Sequence, residues 1–125
     1  MNSQYDALFT PWKIGNVEIK NRIVMCPMGG TSLFGWFELG GCHFDKEAAK
    51  LFLERANNNV GLIIPGIAPL RDTFWGKWLW QNPKMFEELK EFMDELHKTG
   101  AKLFIQLTAG MGRSWAITEL VAPLH

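Results

Sequence analysis

The sequence predicts an α/β fold built on a parallel sheet, and two observations carry this prediction. Three short apolar segments have the composition of buried strands: Arg22–Met28, Val60–Ile64 and Lys102–Leu107. Two longer segments with helical periodicity lie between them. The resulting order is hairpin, strand, loop, helix, strand, loop, helix, strand, and such alternation is typical of βαβ units on a parallel sheet.

The elements up to the first loop follow from local patterns. Residues 12–21 predict a small hairpin, because the turn signal Gly15-Asn16 separates Ile14 from the alternating segment Val17–Lys20. The near-continuous apolar run that follows suits a strand covered on both faces. Residues 29–44 contain five glycines and four aromatic residues, which predicts a loop.

Capping residues mark both helices. Asp45 is the expected N-cap of a helix over Lys46–Asn58, and residues 66–81 are expected to be a loop. Asn82 is the expected cap of the second helix, with Pro83 at its first position and Gly100 at its end. The predicted apolar stripe of the first helix is Ala48, Ala49, Phe52 and Ala56. That of the second helix is Met85, Phe86, Leu89, Phe92, Met93 and Leu96.

Composition and charge exclude several classes of protein. The chain has 125 residues, 47% of them hydrophobic, and 13 basic residues balance 13 acidic ones. A net charge of zero argues against a nucleic-acid surface, which needs basic excess. No secretory signal is visible, and the apolar runs are too short to cross a membrane.

The cysteines indicate a reducing compartment. Cys26 and Cys42 are far apart and neither belongs to a Cys-x-x-Cys pair, so a disulfide framework or zinc site is not expected and a cytoplasmic location is. Cys26 is expected to be a core residue. Cys42 adjoins His43, but catalytic pairs normally converge from distant segments, so this pair is not taken as a nucleophile and base.

The ends of the three strands are the candidate site. Ligands of parallel α/β proteins bind at the carboxyl ends of the strands. Met28 and Gly29, which follow Pro27, are expected to offer backbone N–H groups to an acceptor. Gly66 permits close backbone approach, and Gln106 is expected to be a buried amide that needs a partner. Such groups suit a planar ligand with alternating C=O and N–H groups, although ordinary turn chemistry would place the same residues there. No metal cluster, nucleotide-binding glycine motif, catalytic triad or other catalytic residue is apparent.

The segment LFTPWKIGNVEIKNRIVMCPM, residues 8–28, resembles the start of the Old Yellow Enzyme family. VGLII at residues 60–64 and FIQL at residues 104–107 fall where that family has its second and third strands. The resemblance implies that residues 1–125 are the N-terminal portion of an FMN-binding (β/α)8 TIM barrel, whose remainder is missing from this chain. It also implies an enzyme that uses NADH or NADPH to reduce the activated C=C bond of an apolar enone or enoyl substrate. The similarity is greatest to the branch with 2,4-dienoyl-CoA reductases and bile-acid or enoate reductases.

The resemblance also assigns roles to single residues. Pro27, Met28 and Gly29 are similar to the FMN contacts of the first strand, Gly66 to the small residue beneath the flavin, and Gln106 to the glutamine that binds the flavin pyrimidine. Two features depart from the family. Gly29 stands where Thr or Cys is common, and the family's Gln-Leu-x-His-x-Gly-Arg is here one residue longer and lacks its His. The family's substrate-binding and proton-donating residues lie beyond residue 125, so this chain alone is expected to be inactive.

Other interpretations remain open at this point. The chain could be a catalytically inactive truncated product or a binding module that retains part of the barrel, or part of a flavin-free (β/α)8 enzyme. Two loops rich in aromatic residues either line an apolar substrate or cover the rest of a barrel. Their large side chains are Trp36, Phe37, Trp75, Trp78 and Trp80.

Overall fold

A computed structural model describes residues 4–28, 33–34, 43–69 and 82–108. The elements in order are a short 3₁₀ turn (Asp6–Phe9), β1 (Trp12–Ile14), β2 (Val17–Ile19), β3 (Val24–Met25), α1 (Lys46–Asn57), β4 (Leu62–Ile63), β5 (Ile67–Pro69), α2 (Pro83–Lys98), β6 (Lys102–Leu103) and β7 (Gln106–Thr108). The predicted alternation of strands and helices is confirmed.

The first two strands form the predicted hairpin. β1 and β2 are antiparallel, with Ile14 opposite Val17 across the turn. Gly15 has φ of 56°, a left-handed conformation that glycine adopts without steric cost. The alternation is also observed, since Glu18 is exposed while Ile19 is fully buried.

The central sheet is parallel, as predicted, with strand order β3-β4-β6. Met25, Ile63 and Leu103 stand side by side across it. These three residues pack with the hydrophobic core that both helices share. The side chains of these three residues therefore define the face of the sheet that both helices cover.

The strands are shorter than predicted, and one of them was missed. β5 lies within residues 66–81, which were predicted to be a loop, and it pairs in parallel with β7. Pro65-Gly66 resembles the end of a strand because proline cannot donate to a ladder. Here the two residues only interrupt the strand, and pairing resumes at Ile67.

Most predicted helix boundaries are confirmed to within one residue. Asp45 caps α1, because its Oδ1 accepts hydrogen bonds from the backbone N–H groups of Glu47 at 3.0 Å and Ala48 at 2.9 Å. Gly100 follows α2 with φ of 77°. Asn82 occupies the N-cap position of α2, but its side chain makes no capping hydrogen bond, so that part of the prediction is wrong.

The core forms where α1 and α2 pack on the sheet. Phe52 and Leu96 are almost completely buried, and the rings of Phe44 and Phe92 lie 5.9 Å apart. Phe86 is 45% exposed, contrary to prediction. The buried stripe of α2 follows positions 85, 92 and 96, and Phe86 lies about 100° around the helix from the first of these. Neither described helix is long and apolar enough to span a membrane.

Cys26 is exposed with a free thiol, so the prediction that it is a core residue is wrong. Side chains alternate between the two faces of a strand, and Met25 faces the helices. Cys26 therefore faces the other side, which the described residues do not cover. Cys42 lies outside the described residues.

Asn21 closes the amino-terminal edge of the sheet. It is only 4% exposed, and its Oδ1 accepts a hydrogen bond from the Ile23 N–H at 3.0 Å while its Nδ2 donates to the Asn59 carbonyl at 2.6 Å. The Trp12 indole donates to the Asn21 carbonyl. A Cβ atom on Gly61 would collide with the Asn21 side chain, so only glycine fits there.

Lys20 joins the hairpin to both helices at the same edge. Its ammonium group donates to the Thr99 carbonyl at 2.8 Å and to the Ala56 carbonyl at 3.5 Å. These carbonyls lie at the carboxyl ends of α2 and α1, where a positive charge is favourable. Burial lowers the pKa of Lys20 from its ordinary value. One side chain thus satisfies the ends of two helices.

Candidate functional site

The structure places the predicted site residues that it describes at one edge of the sheet. Met28 follows β3, Gly66 lies between β4 and β5, and Gln106 begins β7. Because β3, β4 and β6 are parallel, these positions, which follow those three strands in the chain, all lie at the carboxyl ends of the central sheet. Pro27 is half-buried and Met28 is 56% exposed. Gly29 lies outside the described residues.

Gly66 and Gln106 are brought close together by strand pairing. Gln106 stands opposite Ile67, the residue after Gly66. Gly66 is buried, with φ of 73°. Gln106, in contrast, is exposed, so the expectation of a buried amide is wrong. Gln106 is the first residue of β7. The N–H groups and the carbonyl oxygen of its exposed side-chain amide are both available to a ligand.

Ile67 is a residue of this edge that the sequence analysis missed. Paired residues of neighbouring strands share a face, so the side chains of Ile67 and Gln106 lie on the same side of the sheet. Ala68, the next residue, is fully buried in the helix-facing core. Ile67 therefore belongs to the opposite face. The sequence does contain a signal for Ile67, because Ile67 and Ala68 continue an apolar strand after Gly66. The prediction that the strand ends at Ile64 assigned both residues to a loop.

Leu33 and Phe34, which follow β3 in the chain, lie beside this edge. Both side chains are fully buried in the core. The Leu33 N–H donates to the Pro65 carbonyl at 3.4 Å, and the Asp45 N–H donates to the Leu33 carbonyl at 3.0 Å. Leu33 is thus tied to the strand that carries Gly66. The aromatic residues expected either to line a substrate or to cover the rest of a barrel lie outside the described residues: Trp36, Phe37, Trp75, Trp78 and Trp80.

Burial lowers the pKa of Lys20, which lies at the opposite edge of the sheet. In α2, a hydrogen bond with Asp94 raises the pKa of Lys90, and the same bond lowers the pKa of Asp94. Within the described part of the chain, no group of three or more His, Cys, Asp or Glu residues could hold a metal ion.

These features define what the edge can bind. It offers a neutral amide, backbone groups beside Gly66 and the apolar side chain of Ile67. Such a donor set fits the uncharged, planar pyrimidine edge of a flavin, which carries alternating C=O and N–H groups. Among the residues that the structure describes, this edge does not offer the cationic groups that a phosphate requires. The described residues therefore fit the ring system of FMN and not its phosphate.

Known proteins similar to this chain include two bacterial enzymes. A cinnamate reductase from Clostridium sporogenes is 37% identical over an alignment of 120 residues that covers 90% of this chain and 17% of that protein. An NADPH dehydrogenase from Listeria welshimeri is 32% identical over an alignment of 120 residues that covers 93% of this chain and 34% of that protein. The chain thus spans about one sixth to one third of the length of these relatives.

A solved structure supports the same relationship. The Old Yellow Enzyme from Pichia sp. AKU4542 superposes with a TM-score of 0.65 and 26% identity, over 86% of this chain and 27% of that protein. The predicted partial (β/α)8 barrel is confirmed, since these neighbours are TIM barrels and the described residues form part of one without closing it.

The family-level comparison covers nearly the whole chain. Residues 7–122 match the sequence profile of the NADH:flavin oxidoreductase / NADH oxidase family. The expected cofactor, FMN, with a nicotinamide as its reductant, is confirmed at the level of this family, so a flavin-free barrel is not supported. The parallel sheet, the amide at its carboxyl edge and this match lead to one conclusion: the chain belongs to the NADH:flavin oxidoreductase / NADH oxidase family.

Proposed function

We propose that residues 1–125 form the N-terminal portion of the FMN-binding barrel of an oxidoreductase. The enzyme takes hydride from NADH or NADPH and reduces the activated C=C bond of an apolar enone or enoyl substrate. The observation that supports this proposal most is the pairing of Ile67 with Gln106 next to Gly66. This pairing brings an amide, a small residue and an apolar side chain together at one edge of the sheet, and we propose that the flavin ring lies against them.

Each residue has a proposed role toward the cofactor. Gln106 donates and accepts hydrogen bonds at the pyrimidine edge, and its exposure leaves the amide free to turn toward that edge. Pro27, Met28 and Gly29 supply backbone contacts from the end of β3, and Gly66 shapes the strand beneath the ring. FMN, when bound, supplies the hydride chemistry. Among the described residues no acid or base stands at this edge, so this chain alone is proposed to be inactive.

The proposed substrate is an apolar enoyl compound. One relative is named a cinnamate reductase, and cinnamate is an arylated enoate. The aromatic residues Trp36, Phe37, Trp75, Trp78 and Trp80 belong to two segments that follow β3 and β5 in sequence, and we propose that they surround the substrate. The proposed location is the cytoplasm, in keeping with the free thiol of Cys26.

The alternative is a protein that retained the barrel edge and lost catalysis. Such a protein would bind FMN or another planar ligand through the same residues without turning over a substrate. The two proposals differ in one property, which is whether bound flavin passes electrons to an alkene.

Anaerobic redox measurements on the protein expressed from its complete gene separate these proposals. We expect bound FMN in the purified protein, bleaching of its absorbance by NADH or NADPH, and recovery of the absorbance when cinnamate or a cyclic enone is added. A saturated analogue of each alkene is the control and should not restore the absorbance. Bound flavin that no alkene reoxidises would favour the binding module, and absence of FMN would contradict the proposed oxidoreductase.

A further inference from the structure

The strand that carries Gly66 contains one residue more than its neighbour. Ile63 stands opposite Leu103, and Ile67 stands opposite Gln106. The four residue steps from Ile63 to Ile67 therefore match only three steps from Leu103 to Gln106 on the neighbouring strand. This is the geometry of a β-bulge, a feature often found next to active sites because it redirects side chains.

The bulge determines which side chain stands beside Gln106. Without it, the register of β4 and β6 would continue and place Gly66 opposite Gln106. With it, Ile67 takes that place and Ala68 turns into the core, where it is fully buried. The extra residue thus moves Ile67 to the face of Gln106 and Ala68 to the face of the helices.

Two contacts hold the bulge in place. The Gly66 N–H donates to the Ile64 carbonyl at 2.9 Å, a tight bend that accompanies φ of 73° at Gly66. The Pro65 carbonyl accepts the Leu33 N–H at 3.4 Å, and both Pro65 and Leu33 are fully buried. The bulge therefore depends on the left-handed backbone conformation of Gly66 and on the hydrogen bond that holds the Pro65 carbonyl.

We propose that Gly66 is a positioning residue that acts through this bulge, and that Ile67 is the residue of its strand that lies against the flavin beside Gln106. The proposal rests on the proposed function. It differs from the sequence-based expectation, in which the absence of a side chain at Gly66 admits the ligand. Here the positive φ of Gly66 is what matters, because it sets the register that brings Ile67 to Gln106.

Two substitutions of Gly66 show whether its positive φ or its small size is what FMN binding requires. Asparagine tolerates positive φ far better than alanine, yet its side chain is larger. If Gly66 acts through φ, Gly66→Ala depopulates the bulged state and weakens FMN binding about tenfold, whereas Gly66→Asn stays within about threefold of wild type. If Gly66 instead admits the ligand by its small size, Gly66→Asn weakens binding at least as much as Gly66→Ala.

The measurement uses the protein expressed from its complete gene. FMN affinity is read from flavin fluorescence, the ring environment from visible circular dichroism of the bound flavin, and stability from thermal melting of the apoprotein. Gly15→Ala and Gly15→Asn are matched controls, because Gly15 has φ of 56° with nothing within 4 Å of its Cβ position. These controls should change melting and leave both flavin readouts unchanged.

Each outcome decides the proposal. Retained affinity and an unchanged flavin spectrum in Gly66→Asn, together with weakened binding or failure to fold in Gly66→Ala, support it. Wild-type affinity in both variants overturns it. Loss of affinity in Gly66→Asn equal to or larger than in Gly66→Ala overturns the positioning role and leaves the proposed function intact. A wild-type protein that binds no FMN overturns both.

Discussion

The two edges of the sheet differ in how completely the described residues bind their backbone groups and cover their apolar side chains. At the amino-terminal edge, Lys20 and Asn21 bind backbone groups of the residue before β3, of the turn before β4 and of both helix ends. At the carboxyl edge, large apolar residues remain uncovered by the described chain: Met28 is 56% exposed, Ile105 44% and Leu107 56%.

The difference indicates a division of roles. Residues that hydrogen-bond only within the chain, such as Asn21, stabilise the fold, whereas an exposed amide such as Gln106 is free to bind a cofactor. The segment most similar to the family, residues 8–28, joins the two edges, since it contains both Lys20-Asn21 and Pro27-Met28. Substitutions at the two edges should therefore affect different properties.

The largest effect is expected at Asn21. Asn21→Leu removes two hydrogen bonds and leaves the Ile23 N–H without its acceptor, so the free energy of unfolding should fall by about 3 kcal/mol. Urea unfolding of the protein measures this change. Asn58→Leu is the control, because the exposed amide of Asn58 makes a single bond to the Glu54 carbonyl. Equal losses in the two variants would show that burial of Asn21 does not matter.

A smaller effect with a characteristic pH dependence is expected at Lys20. Lys20→Met loses the bonds to the Thr99 and Ala56 carbonyls, which should cost about 1 kcal/mol. Burial lowers the pKa of Lys20 below 10.5, so between the lowered pKa and 10.5 the unfolded chain binds more protons than the folded one. The contribution of Lys20 to stability therefore rises with pH across that window.

Urea unfolding at several alkaline pH values tests the sign of this dependence. The difference in unfolding free energy between wild type and Lys20→Met should increase as pH rises through the window. Lys13→Met, at an exposed position of the hairpin, is the control and should leave stability unchanged. A difference that decreases with pH would contradict the burial of Lys20.

The smallest effect on stability is expected at Leu107, where the effect is on association. The 125-residue chain expressed by itself should self-associate through the apolar residues of its carboxyl edge. Leu107→Lys should reduce this association in sedimentation velocity and change the unfolding free energy by less than about 0.5 kcal/mol. Val17→Lys, at an exposed apolar position of the hairpin, is the comparison. A monomeric wild-type chain would show that the open edge does not drive association.

Much of the fold was predictable because its signals are local. Asp45, Pro83 and Gly100 mark helix ends through capping and backbone preferences, and Gly15-Asn16 marks the hairpin turn. β5 was not predictable in this way. Pro65-Gly66 has the composition of a strand end, and only pairing with β7 shows that the strand continues.

The site was predictable in position and less so in detail. The rule that ligands bind at strand ends correctly brought Gly66 and Gln106 to one edge. It did not reveal that Gln106 is exposed or that Ile67 stands beside it, because both depend on register. The roles of Lys20 and Asn21 were also hidden, since the Ala56 and Thr99 carbonyls that Lys20 binds lie 36 and 79 residues away.

We propose that the carboxyl edge binds FMN through Gln106, and titration of the apoprotein with FMN measures this binding. Gln106→Leu should weaken binding about tenfold, because the lost hydrogen bonds are worth about 1–3 kcal/mol, and should leave melting of the apoprotein unchanged. Leu107→Ala, next in sequence and on the other face of β7, is the control and should bind FMN as wild type does. Unchanged affinity in Gln106→Leu, or equal weakening in Leu107→Ala, would contradict the proposal that Gln106 binds FMN.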